Sequence, residues 1–161
     1  MKIGVVGGVV LALVLVAGTG CITPPPGKSV PFTAQGSGHF EGPDGRDLSG
    51  TADGNVIGSG TIRASYSLAG AIAPPCPSKA GLIGQSVTLT AANGDTIEQQ
   101  WSGTYCMSST DVAHATETYT TNGGTGRYRN ATGSGTVTFD ADLRTITFTF
   151  DEDGTICCFQ F

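Results

Sequence analysis

Residues 123–150 read GGTGRYRNATGSGTVTFDADLRTITFTF, and this stretch decides the fold. Val137 and Phe139 alternate with threonines, and the segment 144–150 continues the same alternation of apolar and polar residues. A strict period of two is typical of a β-strand that buries one face. Residues 141–142 lie between the two runs, where a tight hairpin turn is expected. The stretch therefore predicts two antiparallel strands.

The same pattern recurs along the chain after residue 30 and predicts about eight strands, at 30–40, 59–68, 85–91, 96–104, 112–121, 133–140, 144–150 and 155–160. Asn93-Gly94 predicts a type I′ hairpin, and Pro43-Asp44-Gly45 predicts another turn. The acidic run 151–154 is interpreted as a solvated hairpin tip. No stretch shows a helical period, and glycine within strands favours a small barrel over a sandwich. We predict an all-β fold, a small antiparallel eight-stranded up-and-down barrel.

GTGRYRNATGSGTVTF at 124–139 resembles the GTGRF-x-x-ATGSGT-type signature of small bacterial exported proteins. Those proteins are grouped with the allene oxide cyclase-like and dirigent-like β-barrels. The likeness is close over this segment and extends loosely to AANGDTI at 91–97 and TFTFDEDGTI at 147–156. The resemblance implies an eight-stranded antiparallel barrel. It transfers no catalytic residue, because the signature covers a turn and a strand and contains no acid or base.

The glycine-rich start of the signature is expected to form a structural corner. Glycine tolerates positive φ and close backbone approach, which a sharp corner before a strand requires. We predict that Gly124 and Gly126 occupy backbone positions closed to residues with a β-carbon. We also predict that Tyr128 turns inward and plugs one end of the barrel.

The N-terminus has the layout of a bacterial secretory signal peptide. Met1-Lys2 is followed by an apolar run at 3–17 and by three small residues directly before Cys21. We predict a signal peptide at 1–20, lipidation of Cys21, and a proline-rich tether at 21–29 before a barrel domain at 30–161. Two alternatives remain open: ordinary cleavage that leaves Cys21 unmodified, and an uncleaved membrane anchor.

The charge balance excludes some partners. Eight basic and thirteen acidic residues give a formal net charge of −5, and no lysine or arginine cluster is present. Such a chain is not expected to bind nucleic acid. Electrostatic docking to anionic lipid is disfavoured for the same reason, so membrane attachment would depend on the lipid at Cys21.

Four further cysteines, Cys76, Cys106, Cys157 and Cys158, allow three pairings in an exported chain. Cys157 and Cys158 are adjacent in a predicted strand, so their side chains are expected on opposite faces. We favour a disulfide between Cys76 and Cys106 that joins two loops. The alternative, a thiol or metal site, lacks any CxxC or Cys–His metal spacing.

The two histidines, His39 and His114, each lie in a predicted strand. If they faced the barrel lumen together with Glu117 or Asp111, they could bind a metal or act as acid and base. The other interpretation is that both are half-exposed strand residues. Because no motif supports the first interpretation, we predict no catalytic residue, no metal site and no cofactor.

We interpret the chain as an exported cell-envelope lipoprotein whose barrel is a non-enzymatic binding or structural module. Its partner would be a small apolar ligand or an envelope protein, and its membrane contact the lipid at Cys21. The alternative is an allene oxide cyclase-like isomerase or cyclase acting on a small apolar substrate in the lumen. A third interpretation is an adhesin-like surface domain. Whether the lumen is empty or filled separates these functions.

Overall fold

A computed structural model describes residues 28–42, 44–71 and 79–159 of the chain. It contains eight strands, β1 Val30–Glu41, β2 Asp47–Gly54, β3 Gly58–Ala71, β4 Lys79–Ala91, β5 Thr96–Met107, β6 Val112–Gly124, β7 Thr132–Asp142 and β8 Thr147–Cys157. Each strand pairs antiparallel with the next, and β8 pairs with β1 to close the barrel. The predicted up-and-down barrel is thereby confirmed. The predicted signal peptide and Cys21 lie outside the described residues.

Two strand predictions were wrong. β2 was not predicted at all, because only Leu48 and Ala52 of this Gly- and Ser-containing strand are buried. The acidic run at 151–154, predicted as a solvated turn, instead lies inside the single continuous strand β8. Asp151 and Asp153 point outward while Glu152 between them is buried, so the period of two runs through the charged residues without a break.

One hairpin prediction was correct in place and wrong in detail, and another placed its turn too early in the chain. The chain turns between β4 and β5 at Asn93-Gly94, but only Gly94 has positive φ, so the turn is not type I′. The turn predicted at 141–142 lies at 143–146, because Ala141 and Asp142 are the last residues of β7. Ile146 was predicted inside a strand. It lies in the turn before β8 with φ of 58° and is 54% exposed.

Inward-facing glycines make room for large rings on neighbouring strands. A Cβ on Gly36 would lie 2.6 Å from Cε1 of Phe150, and a Cβ on Gly135 would lie 2.5 Å from Cε1 of Tyr119. The rings therefore lie against the bare backbone of the adjacent strands. This arrangement explains why a barrel of modest size holds so many buried aromatic side chains.

The barrel has a closed end, where β1 begins and β8 finishes. There a short 3₁₀ helix, Gly126–Tyr128, joins β6 to β7 and carries the fully buried Tyr128. The Tyr128 hydroxyl donates a 2.9 Å hydrogen bond to the carbonyl of Val56 in the β2–β3 connection, and Phe159 packs on the ring with centroids 5.9 Å apart. The opposite end, where β1 finishes and β8 begins, is the open end.

Candidate functional site

An apolar pocket of about 100 Å³ lies at the open end. Side chains from six strands line it. Because side chains alternate between the two faces of a strand, every second residue near each strand end points inward. Small residues such as Ala113 and Ala141 leave the space that larger side chains would fill. The principal lining residues are Phe40, Tyr66, Ile83, Tyr105, Phe139 and Leu143.

The aromatic wall of this pocket is well packed. Phe40 makes edge-to-face contacts with Tyr66 and Phe139, with ring centroids 6.0 Å and 6.4 Å apart. Phe139 stacks on Phe148 at 5.2 Å. Offset and edge-to-face pairs of this kind fix ring positions and add to the stability from burial. The pocket shape is thus set by packed rings.

Exposed apolar side chains lie at the open end of the barrel. Leu68, Leu82, Leu143 and Ile146 are each 46–54% exposed, and all four lie near the open end of their strands or in its turns. Leu68 and Leu143 also line the pocket itself. Such a rim is suited to an apolar molecule entering from this end.

The floor of the pocket is polar. Gln85 is the pocket residue with a side-chain amide, and its Nε2 donates a 2.7 Å hydrogen bond to Oε1 of Glu117. Burial raises the pKa of Glu117 to about 7, against the opposing effect of the Gln85 hydrogen bond. Within the described part of the chain, Oε1 of Gln85 and Oε2 of Glu117 have no hydrogen-bond partner. Two unpartnered oxygen atoms are therefore buried at and below the pocket floor.

A second polar group lies deeper in the barrel. The indole nitrogen of Trp101 donates a 2.8 Å hydrogen bond to Oε1 of Gln99. Glu152 is 3% exposed, and burial raises its pKa to about 8. Neither of its carboxyl oxygens has a hydrogen-bond partner among the described residues. Both buried carboxyls are thus held mainly as neutral acids below their raised pKa values.

The lumen beneath the pocket is filled by the protein's own side chains. The ring of Trp101 packs against Phe150 at 5.6 Å, and Phe32 meets Tyr119 edge-to-face at 6.0 Å. All four residues are at most 2% exposed. Within the part of the barrel that the structure describes, room for a ligand in the lumen therefore lies at the open end.

The two histidines lie on the outer surface. The side chain of His39 is 62% exposed and 3.3 Å from Glu41, and that of His114 is 54% exposed and bonded to Asp140. The hypothesis that they face the lumen was wrong, and the half-exposed interpretation was correct. His114 and Glu117 are three positions apart on β6, so they point to opposite faces. No group of three potential metal ligands occurs in the described ranges.

The glycines predicted to form the corner lie at the closed end. A Cβ on Gly124 would be 1.8 Å from the carbonyl oxygen of Thr96. Gly126 has φ of 52°, and a Cβ there would be 1.8 Å from Oδ1 of Asp95. With Tyr128, they form the cover of the barrel, far from the pocket.

The predicted disulfide involves a residue outside the described ranges. Cys106 lies near the end of β5, opposite Ala80 in the register of the neighbouring strand β4. Cys76 falls in the connection 72–78, which is not described, so the pairing remains a prediction.

Sequence reasoning missed the polar floor. The sequence did contain a signal. Gln85 lies at an inward-facing position of β4, in alternation with the buried Val87 and Leu89. Glu117 lies at an inward-facing position of β6, between the buried Ala115 and Tyr119. A polar residue at an inward position of an alternating strand must be buried.

Comparison with protein-family models, curated proteins and solved structures gives no match to the chain. Among the described residues, no helix is long and apolar enough to cross a membrane.

Proposed function

We propose that this protein is an exported cell-envelope lipoprotein whose barrel binds a small apolar ligand at its open end. The observation that carries the proposal is the apolar pocket whose floor holds an amide that is hydrogen-bonded to a buried carboxyl. Ligand sites are typically concave and apolar with a few well-placed polar groups.

The pocket chemistry supports a ligand with one hydrogen-bonding group. The unpartnered Oε1 of Gln85 is buried, and it would accept a hydrogen bond from a ligand hydroxyl that displaced the side chains covering it. A cavity of about 100 Å³ is somewhat smaller than the ~150 Å³ engineered cavity that binds benzene in another protein. The buried part of the ligand would therefore be about the size of a short alkyl chain, with the remainder lying along the rim.

The topology would set the orientation of a membrane-anchored barrel. β1 begins at the closed end, so the predicted tether 21–29 would join the barrel there. An anchor at Cys21 would place the closed end toward the lipid and the open end toward the surrounding medium. A ligand would then reach the pocket without crossing the membrane.

Binding is tested by titrating the protein with 1-hexanol and following backbone amide NMR shifts, with hexane as the probe that lacks the hydroxyl. We expect saturable shifts confined to the open end and weaker binding of hexane. Ala141→Phe fills the pocket and should abolish the shifts, whereas Thr136→Phe on the outer face of the same strand should not. Equal responses from both variants would contradict the proposal.

Location is tested separately by metabolic labelling with a radioactive fatty acid. The wild-type chain should take up label, and Cys21→Ser should not. If the two chains label equally, Cys21 is not the attachment point.

A cyclase-like activity is a second proposal, favoured by one observation. Glu117 has a pKa of about 7 next to an apolar pocket, as a general acid or base requires. However, Gln85 rather than Glu117 lines the pocket, and the lumen is filled, both of which favour a binding module. Chemical conversion of a bound ligand that is lost in Glu117→Gln while binding persists would establish the enzyme instead.

A further inference from the structure

Cys157 and Cys158 lie together at the closed end, contrary to the prediction from sequence. Adjacent residues of one strand would point to opposite faces, but β8 ends at Cys157. Cys158 then has φ of 66°, a left-handed conformation that is uncommon for a residue other than glycine. This reversal brings the two Sγ atoms to 2.6 Å of each other without a bond between them. The expected opposite orientation was wrong because the strand stops between the two residues.

A hydroxyl group faces both sulfur atoms. Oγ1 of Thr132, which lies opposite Cys157 in the β7–β8 pair, is 3.0 Å from Sγ of Cys157 and 3.9 Å from Sγ of Cys158. Both cysteines are half-buried, so a small reagent can reach them. A hydrogen bond from this hydroxyl would stabilise whichever sulfur is ionised, and the thiolate is the reactive form.

The third described cysteine is too far away to pair with either of them. Following the strand pairing from β5 through β6 and β7 to β8, Cys106 lies level with Thr149. Thr149 precedes Cys157 by eight positions, or about 26 Å at roughly 3.3 Å per strand residue. A disulfide needs Cα atoms within about 7 Å.

We propose that Cys157 and Cys158 are a redox modification site at which the two thiols close into a disulfide between adjacent residues. The oxidant is a small or protein disulfide. One cysteine thiolate attacks it, forming a mixed disulfide and releasing one thiol. The second thiolate displaces the remaining half of the oxidant, so two protein thiols become one disulfide and the oxidant becomes two thiols.

Closing this ring would fix the chain reversal that follows β8. Phe159 comes directly after the pair and packs on Tyr128. The oxidised form would thus hold the last described residue of the chain against the side chain that covers the closed end.

The test uses the full chain, reduced and then incubated with oxidised glutathione. After alkylation with N-ethylmaleimide and digestion, we expect the peptide with both cysteines to lack adducts and to be lighter by two hydrogens. Prior treatment with a phosphine reductant should restore two adducts. Cys157→Ser should instead retain glutathione on Cys158, because no neighbouring thiol can displace it.

Three outcomes would overturn the proposal. The wild-type peptide could carry two N-ethylmaleimide adducts after oxidation, it could retain glutathione as the variant does, or it could be linked to a different cysteine. Thr132→Val, which removes the hydroxyl, should slow ring closure several-fold but leave the product unchanged.

Discussion

The side-chain amide of Gln85 donates a 2.7 Å hydrogen bond to Glu117 and so connects the floor of the open-end pocket to a buried carboxyl. The hydrogen bond favours the ionised carboxylate, but burial is the larger effect and raises the pKa to about 7. Glu117 therefore changes charge near neutral pH. The charge directly beneath the pocket-floor residue Gln85 changes with it.

The first prediction concerns stability against pH. Burial raises the pKa of Glu117 to about 7 and that of Glu152 to about 8, from an ordinary value of 4.5. The native state keeps protons that the unfolded chain releases above pH 4.5. The free energy of unfolding should therefore fall as pH rises from there to about 8, by at most about 1.4 kcal/mol per pH unit for each carboxyl.

Urea unfolding at a series of pH values between 5 and 9 checks this. Glu117→Gln and Glu152→Gln keep the side-chain shape and remove the titration, so each should flatten part of the curve. An unchanged slope in the double variant would show that other groups cause the decline.

The second prediction concerns Gly126, with Gly45 as the matched control. Both have positive φ, but a Cβ on Gly45 meets open space, whereas one on Gly126 would overlap the Asp95 carboxylate. That carboxylate accepts hydrogen bonds from the backbone of Arg127 and the side chain of Asn93. We expect Gly45→Ala to lose about 1 kcal/mol and Gly126→Ala about 2–3 kcal/mol. Equal losses in thermal melts would mean that the carboxylate moves at no cost.

The third prediction separates the two contributions of Tyr128. Its ring is fully buried and its hydroxyl bonds to the carbonyl of Val56. Tyr128→Ala should cost about 3–5 kcal/mol through lost packing, and Tyr128→Phe about 1 kcal/mol through the lost hydrogen bond. Denaturant titration measures both. A Tyr128→Ala variant as stable as wild type would show that the ring is not needed to cover the closed end.

The fourth prediction concerns the disulfide between Cys76 and Cys106. Cys106 lies opposite Ala80, which closely follows the connection that carries Cys76. A bridge closing a loop of about thirty residues should stabilise the fold by roughly 3–4 kcal/mol. Non-reducing peptide mapping should recover these two cysteines in one linked pair. A link from Cys76 to Cys157 would contradict it.

The fold followed from the sequence because the alternation of apolar residues and threonine is nearly unbroken in β7 and in the first part of β8. The sequence-based prediction failed for β2. Leu48 and Ala52 are the only buried side chains of that strand, and glycines occupy its other inward positions without an apolar signal. The prediction also failed at 151–154, because three acidic residues and a glycine suggest a turn when each is considered by residue type alone.

The pocket was harder to predict than the fold. Gln85 and Glu117 lie 32 positions apart, and only the register across β4, β5 and β6 brings them into contact. Residue type does not reveal this, since glutamine and glutamate are also common on the outer face of a sheet. The contact between two inward-facing polar residues depends on the exact strand register, which hairpin signals in the sequence do not specify.

The order of the strands has a consequence for folding. Seven of the eight pairings join consecutive strands, and only the pairing of β1 with β8 is distant in the chain. Hairpins can form early, because short loops cost little entropy to close. During synthesis one edge of β1 remains unpaired until the last strand has emerged from the ribosome. We therefore expect the joining of β1 and β8 to be the late step of folding and the stage most exposed to misassembly between chains.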